Sequence, residues 1–186
     1  MQHPELIKQF KEKAQAVQAI VTEIDTLDEA IRYAIELTRQ QGAITIAAPG
    51  LGEEERLLLE KEGEAAGLAL IEPPLRPQAN NIHTALTIVD GGVADTGSLV
   101  LTSSSEDVRI ATMLAESHVA VITAGSIVPD TEALEEQLDA TLKSDEPSYT
   151  AFITGASRTA DIERVLAIGV HGPQELHILI WGGMPS

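Results

Sequence analysis

The sequence predicts a single α/β domain with a mainly parallel sheet flanked by helices, and three observations carry that prediction. Largely unbroken apolar runs recur at residues 43–48, 68–71, 99–102, 119–122 and 176–180. A run without polar alternation fits a strand buried on both faces, as in a parallel sheet covered by helices. The stretches between these runs carry apolar residues at helical spacing, so strands and crossovers alternate. Finally, 186 residues of which 44% are hydrophobic suffice for one core without disulfide or structural metal. Residues 1–186 are therefore expected to form one domain.

Leu6, Phe10, Ala14, Val17 and Val21 recur every third or fourth residue among Lys8, Lys11 and Lys13. That spacing predicts an amphipathic helix within residues 1–25, packed on the domain or on a second subunit. Thr26 followed by Glu29 is a capping box, and Leu27, Ala30, Ile31, Ala34, Ile35 and Thr38 then share one face of a helix ending near Gly42. After the strand at 43–48, Pro49-Gly50-Leu51-Gly52 turns the chain into a helix over 53–66, followed by the strand at 68–71. Residues 73–81, with three prolines, read as a stiff connection.

Residues 85–89 fit either a strand or a single helical turn, and Asp90-Gly91-Gly92 reads as a turn. The strand at 99–102 leads to N-cap candidates in Ser103 to Asp107 and a helix through Leu114, then to the strand at 119–122. Beyond Pro129 the spacing predicts an acidic helix with Leu134, Leu138 and Leu142 inward and Glu132, Glu135, Glu136 and Asp139 in water. Residues 151–153 read as a strand that stops at Thr154-Gly155 and feeds a helix carrying Ile162, Val165 and Leu166.

Arg158 would then sit at a helix N-terminus, where a cation opposes the macrodipole and calls for an anionic partner. Asp161 or Glu163 in the first turn would meet that need structurally; a bound carboxylate or phosphate would meet it functionally. From Gly91 to Ser186 the only basic side chains are Arg109, Lys143, Arg158 and Arg164, so this guanidinium is distinctive. The candidate anion site is Thr154, Gly155, Ser157, Arg158 and Thr159, with Thr96, Gly97, Ser98 and His171 from neighbouring loops.

Other motifs fail. Gly50-Leu51-Gly52 before a helix resembles a dinucleotide fingerprint, but Glu55 stands at the third glycine position and Glu53 and Glu54 repel a pyrophosphate. His83, His118 and His177 lack the spacing of a metal pair, and Gly-x-Ser-x-Gly does not occur. With 29 acidic against 12 basic residues the net charge is -17, which disfavours nucleic acid and anionic lipid as partners. Aromatics at 3% leave few stacking platforms. Cysteine is absent, so thiolate-held iron–sulfur clusters, disulfides and a cysteine nucleophile are excluded. No apolar run reaches the ~20 residues of a membrane span, and residues 1–5 do not open a secretory signal, so a cytoplasmic protein is expected.

Taken together, residues 93–98 (Val-Ala-Asp-Thr-Gly-Ser), 153–163 (Ile-Thr-Gly-Ala-Ser-Arg-Thr-Ala-Asp-Ile-Glu) and 169–173 (Gly-Val-His-Gly-Pro) resemble the LUD domain of lactate-utilization proteins. The resemblance implies a fold similar to the sugar-isomerase and coenzyme A-transferase superfamily. It further implies a role in a cytoplasmic system oxidising L-lactate to pyruvate alongside iron–sulfur subunits; with no redox group of its own, the chain is expected to be a non-redox subunit that binds a small carboxylate or phosphate or organises the complex. No cofactor is expected in this chain, and iron–sulfur clusters are expected in partner subunits; homo-oligomer formation stays open. The alternative is a stand-alone transferase or ligase acting on a coenzyme A or nucleotide substrate. The chain departs from the pattern at Asp95, where many relatives carry glutamate, at Ala156, where many carry proline, and in a shortened segment before Thr87.

Overall fold

The computed structural model describes residues 3–135, 139, 149–160, 166–168 and 172–182. Its centre is a six-stranded, wholly parallel sheet. The strands are β1 (Ile20–Ile24), β2 (Thr45–Ala47), β3 (Ala69–Leu70), β4 (Thr84–Ile88), β7 (Ser117–Thr123) and β12 (Glu175–Trp181), in spatial order β1-β12-β7-β4-β2-β3. The segment that fits either strand or helix is thus β4, and its register aligns Thr84 with Ser117 and Ile46.

Alternate residues of the central strands face two different cores, which is why these runs lack polar alternation. Leu86, Val119, Val121 and Leu179 pack under α2 (Leu27–Gln40) and α3 (Glu53–Ala65) through Ile31, Ile35 and Leu59. On the other face Ala120, Ile122, Leu176, Ile178 and Ile180 meet Phe10 and Ala14 of α1 (His3–Ala16), and Leu99 and Leu101 of a second sheet. That sheet contains β5 (Gly91–Val93), β6 (Ser98–Ser103), β8 (Ile127–Val128) and β9 (Tyr149–Ile153), ordered β8-β5-β6-β9. Beyond it, β10 (Arg158–Ala160) and β11 (Leu166–Ile168) form an antiparallel pair.

Helix α2 forms as its capping signals require. Thr26 Oγ1 accepts from Glu29 N at 3.2 Å, and Glu29 Oε2 accepts from Asp25 N at 2.9 Å. At the other end Gly42 adopts φ 71 and donates to Arg39 O at 2.9 Å, while Ala43 N reaches Thr38 O at 3.0 Å, a Schellman closure. Thr26→Ala should cost about 1 kcal/mol in urea unfolding. Unchanged stability would mean that water replaces the cap at no cost.

Three expectations are corrected. The N-terminal helix does not run through residues 1–25: it stops at Ala16, Gln18 turns the chain at φ 68, and Val21 lies in β1. The run Ile-Val-Thr-Glu-Ile is rich in β-branched residues, which favour strands; its Val21 joins one core and Ile24 the other. Gly91 and Gly92 are strand rather than turn, because a Cβ on Gly92 would lie 2.7 Å from Ile122 Cδ1 and 2.9 Å from Phe10 Cε2. Residues 151–160 run strand, turn, strand instead of strand, turn, helix; Ile162 and Val165 lie outside the described residues, and Leu166 begins β11. Beyond Pro129 the acidic helix is present as far as the structure describes it: the 3-10 turn Glu132–Leu134 leads into α-helix at Glu135 and Asp139, with Leu134 buried and Glu132, Glu135 and Asp139 exposed, while Glu136, Leu138 and Leu142 lie outside the described residues.

Candidate functional site

The second sheet grows from the carboxyl ends of the central strands. β4 passes through Val89 and Asp90 into β5, and β7 passes through the turn Ala124–Ser126 into β8. This is the side on which open α/β sheets place ligands. Asp90 holds the junction, donating its N–H to Val100 O at 3.0 Å and accepting from Thr102 N at 2.6 Å.

Antiparallel pairing of β6 with β9 sets Leu99 opposite Ile153, which places Ser98 beside Thr154. Their hydroxyls are hydrogen-bonded at 2.6 Å, Ser98 buried and Thr154 exposed. The two glycines preceding and following this pair share one reason to be glycine. Gly97 lies at φ 66, and a Cβ there would stand 2.2 Å from Ala14 N; Gly155 lies at φ 73, and its Cβ would stand 2.3 Å from Val17 O. Both loops therefore approach the carboxyl-terminal end of α1 more closely than any side chain permits.

Arg158 completes that contact. Its Nη2 donates to the carbonyl of Val17, just past the last residue of α1. The expected placement at a helix N-terminus is thus replaced by one at a helix C-terminus, where a cation complements the macrodipole and satisfies a free carbonyl. The guanidinium is otherwise exposed. Asp161 and Glu163, its expected partners, lie outside the described residues.

Ser157 N donates to Pro173 O at 2.8 Å, and a Cβ on Gly172 would lie 3.0 Å from Ser157 Cβ. The end of the 169–173 motif thus rests on Ser157, while His171 itself lies outside the described residues. Thr159 pairs through its backbone with Ala167. Thr96 is exposed at the tip of the β5–β6 turn, where Gly97 N donates to Val93 O at 2.9 Å. The structure thereby gathers Gly97, Ser98, Thr154, Gly155 and Arg158 at the end of α1, with Ser157 and Gly172 beside one another.

The opposite ends of the central strands hold polar groups that motif reasoning missed. Glu175 Oε2 lies 2.9 Å from His177 Nε2 and 2.8 Å from Gln41 Nε2, His177 Nδ1 lies 2.8 Å from the Tyr33 hydroxyl, and Ser117 Oγ donates to Gln41 Oε1 at 2.9 Å. A carboxylate only accepts, so His177 Nε2 carries a hydrogen; Nδ1 accepts from Tyr33 when the ring is neutral and donates to it when the ring is charged. The alternation of Glu175 and His177 along a strand was a visible signal; Tyr33, far away in sequence, was not. His118 is fully buried with Nε2 2.8 Å from Thr87 Oγ1 and with Nδ1 unpartnered. Burial, aided by His177, lowers its pKa from 6.5 to about 4.

Among the described residues no group of three or more His, Asp and Glu side chains is placed to hold a metal ion, and no helix is long and apolar enough to cross a membrane.

The LUD domain family matches residues 7–181. Lactate utilization protein C of Halalkalibacterium halodurans is 29% identical over 160 residues, covering 82% of this chain and 67% of that protein. The protein of the same name from Exiguobacterium sp. is 29% identical over 181 residues, covering 91% and 74%. A crystal structure of a DUF162 family protein from Deinococcus radiodurans superposes with a TM-score of 0.67 at 20% identity, over 98% of this chain and 99% of that one. This last likeness concerns the fold.

Proposed function

The chain belongs to the LUD domain family, and from that premise we propose that it is a non-redox subunit of a cytoplasmic L-lactate utilization system, close in role to lactate utilization protein C. In this reading it binds a small carboxylate, or organises iron–sulfur partners that oxidise L-lactate to pyruvate. The carrying observation is the exposed Arg158 beside the Ser98–Thr154 hydroxyl pair, on loops held close by Gly97 and Gly155. A guanidinium has five N–H donors; Val17 O occupies one direction of Arg158, and among the described residues no other acceptor takes its outer edge, which suits a carboxylate. Thr96, Ser157, Thr159 and His171 are proposed to complete the site. The lack of cysteine agrees with electrons being carried by partners.

Arg158→Ala should weaken binding of L-lactate or pyruvate by ~1.5–3 kcal/mol in calorimetry, since a charge-assisted contact is lost. Equal affinities for two folded proteins would assign Arg158 to the seating of α1 alone. The wider role is tested by co-purification with iron–sulfur partners and lactate-dependent dye reduction with and without this chain. Partners that neither bind it nor change in rate would end the proposal. Turnover of an acyl-coenzyme A by the chain alone, lost in Arg158→Ala, would replace it with the transferase reading.

A further inference from the structure

Helix α4 (Glu106–Leu114) is apolar on two sides. Its inner side buries Ala111 and Thr112. On the second side, half-buried Ile110 still packs against the core, while Met113 and Leu114 at i+3 and i+4 from it face outward, 50% and 53% exposed. Tyr149, 44% exposed, borders the same cavity of about 340 Å³. Such a stripe is ordinarily covered.

The charges at this cavity single out one cation. Arg76 is paired with Glu106 through Nε at 3.1 Å and through Nη2, which holds the Glu106 carboxylate below its usual range. Asp107, outside the lining, accepts from Leu75 N at 2.6 Å. Among the described residues the one hydrogen bond of the Arg109 side chain is a long contact from Nη1 to Ser104 O at 3.5 Å, which leaves donors beside the apolar stripe. Among the described residues the lining carries two cations against one anion, in a chain of net charge -17.

We propose that this cavity is a second ligand site, for a medium-chain acyl carboxylate whose chain lies on Ile110, Met113, Leu114 and Tyr149 and whose head meets Arg109. Its volume falls in the range of about 300–1,000 Å³ common for small-molecule sites. An anionic head is favoured over a neutral or cationic one because Glu106 is hydrogen-bonded to Arg76 and acts on Arg109 only through its field, leaving the lining with an excess positive charge among the described residues. A second copy of this chain is a poorer occupant: it would bring two strongly acidic molecules together, and a stable dimer buries roughly 1,200–2,000 Å².

The test titrates the intact chain by calorimetry with octanoate, octanol, octylammonium and acetate, all below micelle formation. Octanoate should saturate one site about tenfold more tightly than octanol, with octylammonium and acetate weaker still. Arg109→Gln should remove the preference for octanoate over octanol at unchanged circular dichroism. Met113→Gln should weaken both ligands alike, and Arg158→Ala should change neither, which separates this site from the one at the end of α1. Equal binding of octanoate and octanol, a preference that survives Arg109→Gln, or loss in Arg158→Ala would overturn the proposal. So would a dimer in sedimentation that Met113→Gln dissolves, or binding confined to phosphatidylglycerol vesicles, since either names another occupant.

Discussion

Gly97→Ala is expected to lower stability by about 2–5 kcal/mol and to loosen the seat of α1. Two costs add. Holding a non-glycine residue at φ 66 costs about 1–2 kcal/mol, and overpacking typically adds about 1–3 kcal/mol. The obstruction is backbone on both sides: the new Cβ would stand 2.2 Å from Ala14 N, 2.6 Å from Lys13 C and 2.7 Å from Ala14 Cα. No rotamer change relieves such a contact, so either the β5–β6 turn or the helix must move. Moving the helix withdraws Phe10 and Ala14, both fully buried, from the core they share with Ile122 and Ile178. Urea unfolding measures the loss, and faster amide exchange in α1 would locate it. Gly125→Ala is the control: a Cβ there meets nothing within 4 Å, so its effect should stay within about 0.5 kcal/mol. A Gly97→Ala protein as stable as wild type would show that α1 does not rest on this turn.

The second large effect is one of pH. His118 has a pKa of about 4 in the folded chain against 6.5 when exposed, because burial penalises the imidazolium and His177 adds repulsion. Between those values the unfolded chain binds a proton that the folded chain refuses. Stability therefore rises with pH across this window: the contribution is fully present above pH 6.5 and is lost as pH falls toward 4. Its full size is about 3 kcal/mol. Urea unfolding at several pH values, for wild type and for His118→Gln, isolates it from the carboxylates that also respond to acid. The mutant should be less stable at pH 7, having lost a packed ring, yet flatter between pH 6.5 and 4. Parallel slopes would mean that the imidazole becomes protonated without cost, for instance through water at Nδ1.

Arg158 illustrates how far the candidate site could be read from residue types. Its scarcity among the basic residues of the second half marked it, beside the turn at Thr154-Gly155. The reasoning from the macrodipole was sound in kind, because the guanidinium does meet a helix end. It named the wrong helix: the partner is the C-terminus of α1, 141 residues away, and not the N-terminus of a following segment. Local spacing contains no information about such a contact. The polar chain Tyr33–His177–Glu175–Gln41–Ser117 was hidden for the same reason, since parallel pairing of β12 with β7 and packing of α2 bring its members together.

By itself the sequence determined the α/β class, the central strands β2, β3, β7 and β12, the capped helix from Leu27 and a helix capped within Ser103 to Asp107, because period, caps and turn residues act within a few neighbours. Tertiary structure alone decided that β1 and β12 lie side by side, that residues 91–103, 127–128 and 149–153 form a separate sheet, and that Gly97 and Gly155 receive the end of α1. Those outcomes depend on which buried surfaces fit one another across the whole chain. Gly92 shows the limit: it reads as a turn until Phe10 and Ile122 occupy the space where its side chain would be.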